Sequence, residues 1–68
     1  MSNHGPEFTA YEINALRMKK DGPSSSAKYY EKCFDFLMQY EEGLQYERMS
    51  EKQQRWIWGI KAMVGEWV

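Results

Sequence analysis

The 68-residue chain has one cysteine, one histidine and two prolines. No apolar run approaches the ~20 residues that a membrane-spanning helix needs. Each shortage excludes something. A lone cysteine, Cys33, forms no internal disulfide, which points to a reduced intracellular setting rather than a secreted scaffold. The lone histidine, His4, has no second ligand at metal spacing, so neither a metal nor another cofactor is expected. Its segment, MSNHGPEF, has neither the basic start nor the apolar stretch of a secretory leader. The expectation is a cytoplasmic protein with no membrane partner.

Charge is also scarce in the sense that matters for partners. Nine Lys and Arg against ten Asp and Glu leave a net charge of −1. That is too even for a strong electrostatic footprint on nucleic acid, and too weakly acidic for a DNA mimic. Motifs of chemistry are missing as well: there is no Gly-rich phosphate loop and no nucleophile elbow. Glu31 and Asp35 lie four apart on one helical face beside Lys28 and Lys32, the pattern of a solvated surface with i,i+4 pairs. No catalytic residue is assigned, and the chain reads as non-enzymatic.

What the chain has is aromatic residues, 16% of its length, three of them tryptophans after position 55. A domain this small buries only about 60% of its unfolded surface. Each buried aromatic removes roughly 150–250 Å² from water, which permits a core without staples.

The periodicity predicts a single all-α domain of three helices over residues 9–68, behind a flexible lead at 1–8. Thr9 and Glu12 form a capping box before a helix over 10–20. Arg17, Lys19 and Lys20 favour its negative end, and Gly22-Pro23 stop it, with Gly22 available for a left-handed cap. Serines 24–26 precede a second helix over 26–42, with Gly43 just beyond. Ser50 and Gln53 form another capping box and open a third helix over 51–66. On the second helix Tyr29, Tyr30, Cys33, Phe34, Phe36, Leu37, Met38 and Tyr40 fill roughly 200° of the wheel, so it must be covered from two sides. Glu41 falls inside this sector and is expected to find Arg48, Arg55 or a tyrosine hydroxyl, with orientation of a partner as the alternative.

On the third helix Trp56, Ile57, Ile60, Met63, Val64 and Trp67 share one face, and Trp58 lies nearly opposite its centre. Two readings follow. Trp58 is core if the helix is buried on both sides. It anchors a contact with another chain if it is exposed, since tryptophan is enriched among interface hot spots. The second is the reading carried forward: a protein-interaction module, binding another protein or a second copy of itself. Its surface would comprise Trp58, Lys61, Ala62 and Gly65, with Tyr29 and Phe36 from the second helix.

An alternative is nucleic-acid binding. Two helices joined by a short Gly-containing turn share the outline of a helix-turn-helix. Five of the nine basic residues, Arg17, Lys19, Lys20, Lys28 and Lys32, surround that turn. Against it, the candidate recognition helix spends most of its surface on apolar groups and offers no array of base-reading side chains.

The stretch MSEKQQRWIWGIKA resembles an L-S-x-K-Q-x-x-x-L-x-x-I pattern found in small helical proteins and helical tails encoded by bacteriophages and other mobile elements. Met49 stands for the Leu, Ser50 is the cap, Lys52 and Gln53 match, and Ile57 and Ile60 take the apolar positions. The resemblance covers about a dozen residues of helix-start chemistry. It implies a phage-type accessory protein, many of which bind and inhibit a host protein in the host cytoplasm. It carries over no binding or catalytic residue.

Overall fold

The structure is a computed structural model and describes residues 5–68; His4 lies outside them. Three α-helices carry the chain in the order α1 Ala10–Lys20, α2 Ala27–Glu41 and α3 Glu51–Trp67, with one 3-10 turn at Tyr46–Arg48. No strand occurs among the described residues. None of the described helices is long and apolar enough to cross a membrane. The whole measures 39 × 20 × 19 Å.

Local chemistry sets the helix ends. Both capping boxes form: Glu12 N–H donates to Thr9 Oγ1 and Thr9 N–H to Glu12 Oε1, at 3.1 and 2.8 Å. Ser50 and Gln53 repeat the exchange at 2.9 and 3.2 Å. The start of α2 is weaker. Its cap residue Ser26 makes no side-chain capping bond, and Ser24 Oγ instead accepts from Ser26 N–H at 3.0 Å.

One glycine stop departs from expectation and the other follows it. Gly22 does not adopt positive φ; α1 closes through Asp21 in an ordinary right-handed conformation. Gly43 is the glycine that turns the chain, at φ +130°. There Leu44 N–H reaches Gln39 O at 3.0 Å and Gly43 N–H reaches Tyr40 O at 3.3 Å. This paired arrangement satisfies carbonyls that the helix end would otherwise leave open.

Helix α2 is the spine. Phe8 meets Tyr40 edge-on at one end, while Arg17 and Lys20 lie over the Phe34 ring further back, so α1 runs antiparallel to α2. Phe36 stacks on Trp56 at 4.6 Å and Tyr30 meets Trp67 at 5.5 Å, which sets α3 antiparallel to α2 as well. Between them lies the core of Leu16, Cys33, Phe36, Leu37, Tyr40, Met49, Ile57, Ile60 and Val64. The broad apolar sector of α2 is thus covered from two sides, as its width requires.

Residues 5–8 depart from the flexible lead expected at 1–8. Pro6 is buried, and its carbonyl accepts the Tyr40 hydroxyl at 2.5 Å. A Cβ on Gly5 would lie 2.5 Å from that hydroxyl oxygen and 2.7 Å from the Tyr46 ring, so the lead docks where only glycine fits. Gly5→Ala is expected to cost the docked lead about 1–3 kcal/mol, the usual range for overpacking. Limited proteolysis by a Glu-specific protease should then cut at Glu7 faster than in the parent. Equal cutting rates would mean that the lead is not held this way.

Candidate functional site

Trp58 answers the question its wheel position raises. It is 46% exposed, whereas Ile57 and Ile60 beside it on α3 are fully or almost fully buried. The ring is not loose. Its Nε1–H donates to the Tyr46 hydroxyl at 2.9 Å, and Gln54, one turn earlier on α3, donates to the Tyr46 backbone carbonyl at 3.1 Å. Tyr46 therefore acts as a bracket, fastened to α3 at one end and holding the indole at the other. Gly59 and Ala62 are exposed beside it, and a Cβ on Gly59 would meet nothing within 4 Å. The outcome is a fixed aromatic flank next to low-relief helix surface.

The other residues expected at this surface divide. Ala62 and Gly65 are exposed on α3, and Tyr29 is 53% exposed on α2. Its buried neighbour Cys33, one turn further along α2, pushes the Tyr29 hydroxyl above the ordinary tyrosine range. Phe36 does not belong to the surface. It is 5% exposed, stacked on Trp56 within the core, because α3 packs over that part of the α2 sector.

Lys61 is corrected too. Its Nζ lies 2.7 Å from both carboxylate oxygens of Glu12 and 5.6 Å from the centre of the Phe8 ring. It serves as an internal clamp between α1, α3 and the lead rather than as a cation free for a partner. Glu12 is the buried acid of the molecule's described part, and the lysine bond above all holds its carboxyl below the ordinary glutamate range, with the Thr9 N–H adding to it. Glu41, expected to find a buried partner, is exposed instead. Arg55, one of its possible partners, pairs with Glu51 at 3.2 Å.

At the opposite end, the α1–α2 turn gathers the basic residues of the nucleic-acid alternative. Arg17 and Lys20 lie 5.9 and 5.2 Å from the Phe34 ring centre, and Lys19 lies 5.0 Å from that of Trp67. Lys20 also pairs with Asp21 at 3.0 Å. These three cations are partly committed to aromatic faces, although Arg17 and Lys19 remain exposed, as do Lys28 and Lys32 on α2. Among the described residues no group of three His, Cys, Asp or Glu is placed to hold a metal ion.

Sequence reasoning located Trp58 off the core face but missed its bracket. One signal was available, since a tryptophan N–H near the protein body normally finds an acceptor, and Tyr46 was a polar aromatic in the adjoining connection. No protein-family model, curated protein or solved structure matches the chain significantly. The functional reading therefore rests on this geometry.

Proposed function

We propose that this chain is a small, non-enzymatic protein-interaction module that binds its partner through the Trp58 edge of α3. The observation that carries the reading is the half-exposed indole held in one orientation by Tyr46. Tryptophans fixed in this way lose little freedom on binding and dominate many interfaces. Tyr29, Ala62 and Gly65 extend the surface. In the phage-type setting that the Met49–Ile60 resemblance implies, the partner is a host protein and binding inhibits it.

The test has two parts. Tryptophan quenching with light scattering, using Trp58→Phe to assign the signal, separates an open Trp58 in a monomer from one covered in a dimer. Capture from a bacterial lysate by the parent protein and by Trp58→Ala then asks whether a partner depends on the ring. Trp58→Ala is expected to weaken that binding by more than 2 kcal/mol, roughly 30-fold, while circular dichroism stays unchanged. A partner retained equally by both proteins would sink the proposal. Duplex DNA at low salt tests the nucleic-acid alternative, which requires binding that falls steeply with added salt and with Lys28→Ala and Lys32→Ala.

A further inference from the structure

The docked lead and the C-terminal end of α2 enclose a hollow of about 460 Å³, lined by Glu7, Phe8, Tyr40, Glu41, Leu44 and Glu47 among others. That volume falls within the roughly 300–1,000 Å³ of small-ligand pockets. Three features of the hollow agree in sign. Its carboxylates, Glu7, Glu41 and Glu47, form no salt bridge among the described residues. Its far wall is the end of α2, which has no basic residue in its last turn and instead closes on Glu41 and Glu42. The negative end of that helix dipole is reinforced rather than offset. Helix α1 is the contrast, with Arg17, Lys19 and Lys20 in its last turn. Third, Phe8 and Tyr40 are among the lining residues, and aromatic rings attract cations to their faces. Phe8 already has the Lys61 ammonium 5.6 Å from its centre.

We infer that this hollow receives an arginine side chain presented by a partner protein. The carboxylates are not grouped to share one metal ion; they line a hollow whose other walls include Phe8, Tyr40 and Leu44. A guanidinium is planar, stacks on aromatic rings and donates in pairs to carboxylates. It is also less strongly hydrated than an ammonium, so it enters a partly apolar hollow at lower cost. Arg48 follows Glu47 in the chain but does not line the hollow. Tyr46 sits between two lining residues, Gln45 and Glu47, so the hollow adjoins the Trp58–Tyr46 bracket and one partner segment can reach both.

The experiment is a titration of the full-length, ¹⁵N-labelled chain with blocked Gly-Arg-Gly and Gly-Gln-Gly peptides, followed by amide NMR. The arginine peptide is expected to shift Gly43, Leu44 and Gln45 saturably, and the glutamine peptide is not. Raising salt from about 20 to about 200 mM should weaken the effect several-fold, because exposed charges are screened. The variant Glu7→Gln/Glu41→Gln/Glu47→Gln alters side chains at the surface, should keep the parent's circular dichroism, and should lose the saturable shift. Absence of saturation with the arginine peptide at low salt overturns the inference, as do equal shifts in the triple variant. Free guanidinium ion acting at the same concentration as the peptide also overturns it, by reducing the hollow to a general cation trap. Loss of the arginine titration with Trp58-dependent capture intact, or the reverse, keeps failure here and failure of the Trp58 interface separate results.

Discussion

Phe36→Ala is expected to unfold most of the protein at room temperature or to lower its melting midpoint by more than about 12 °C. Removing a buried phenylalanine costs about 3–5 kcal/mol. A 68-residue chain has only about 3–10 kcal/mol of total stability at the usual 0.05–0.15 per residue. Each kcal/mol moves the midpoint of a domain this size by roughly 4–8 °C. The loss is large here because Phe36 is both buried and stacked on Trp56, 9° from parallel. Its removal also exposes Trp56, whose fluorescence should shift to the red. Tyr29→Ala is the control: with 53% of Tyr29 exposed, its removal should change stability by only about 0.5 kcal/mol. Thermal denaturation of the two variants separates core from surface on α2. A Phe36→Ala protein melting at the parent's midpoint would return Phe36 to the candidate interface.

The second large effect belongs to the Glu12–Lys61 pair. Lys61→Met keeps the length of the side chain but leaves a 7%-exposed carboxylate without its ammonium. The expected loss is about 2 kcal/mol, below the 3–5 of a fully buried pair because Lys61 itself is 30% exposed. Glu12→Gln should cost less, since a side-chain oxygen remains to accept the Thr9 N–H. The double variant should lose less than the sum of the two, which a double-mutant cycle reads directly.

The pair also makes a pH prediction. The folded-state value of Glu12 is depressed, so its contribution is fully present above the ordinary glutamate value of about 4.3. It disappears as pH falls through the depressed value, where the folded state must take up the proton that the unfolded chain already holds. The melting midpoint of the parent should therefore fall in acid more than that of Lys61→Met. Parallel acid profiles would remove the pair from the account of stability.

Those two predictions mark where the sequence was readable and where it was not. Helix ends were legible because their chemistry is local: Thr9 reads Glu12 and Ser50 reads Gln53, three residues away. The inner face of α3 was legible because Ile57, Ile60 and Val64 recur at helical spacing, and that regularity is what placed Trp58 off the core. The apolar sector of α2 was wider than any single neighbour covers. Whether Phe36 or Tyr29 became the exposed one depended on where α1 and α3 came to rest, which no local pattern encodes. The Glu12–Lys61 pair joins residues 49 apart, and Glu12 already had a sufficient local explanation as a cap. The docking of residues 5–8 likewise turns on one glycine facing two distant tyrosines. The acidic hollow arises from that docking and so was hidden with it.

The bond from Trp58 to Tyr46 has a consequence for what the ring can recognise. An indole has one donor, and here the protein has already used it. The exposed remainder is bare hydrocarbon and π-cloud, so an incoming molecule gains nothing by aiming a carbonyl at this ring. Under the proposed interaction, selection would fall on outline and on water released. A thianaphthene analogue of tryptophan, with sulfur in place of the N–H, should bind a partner about as well as the natural ring once folded, although it forfeits the tether that keeps the ring still.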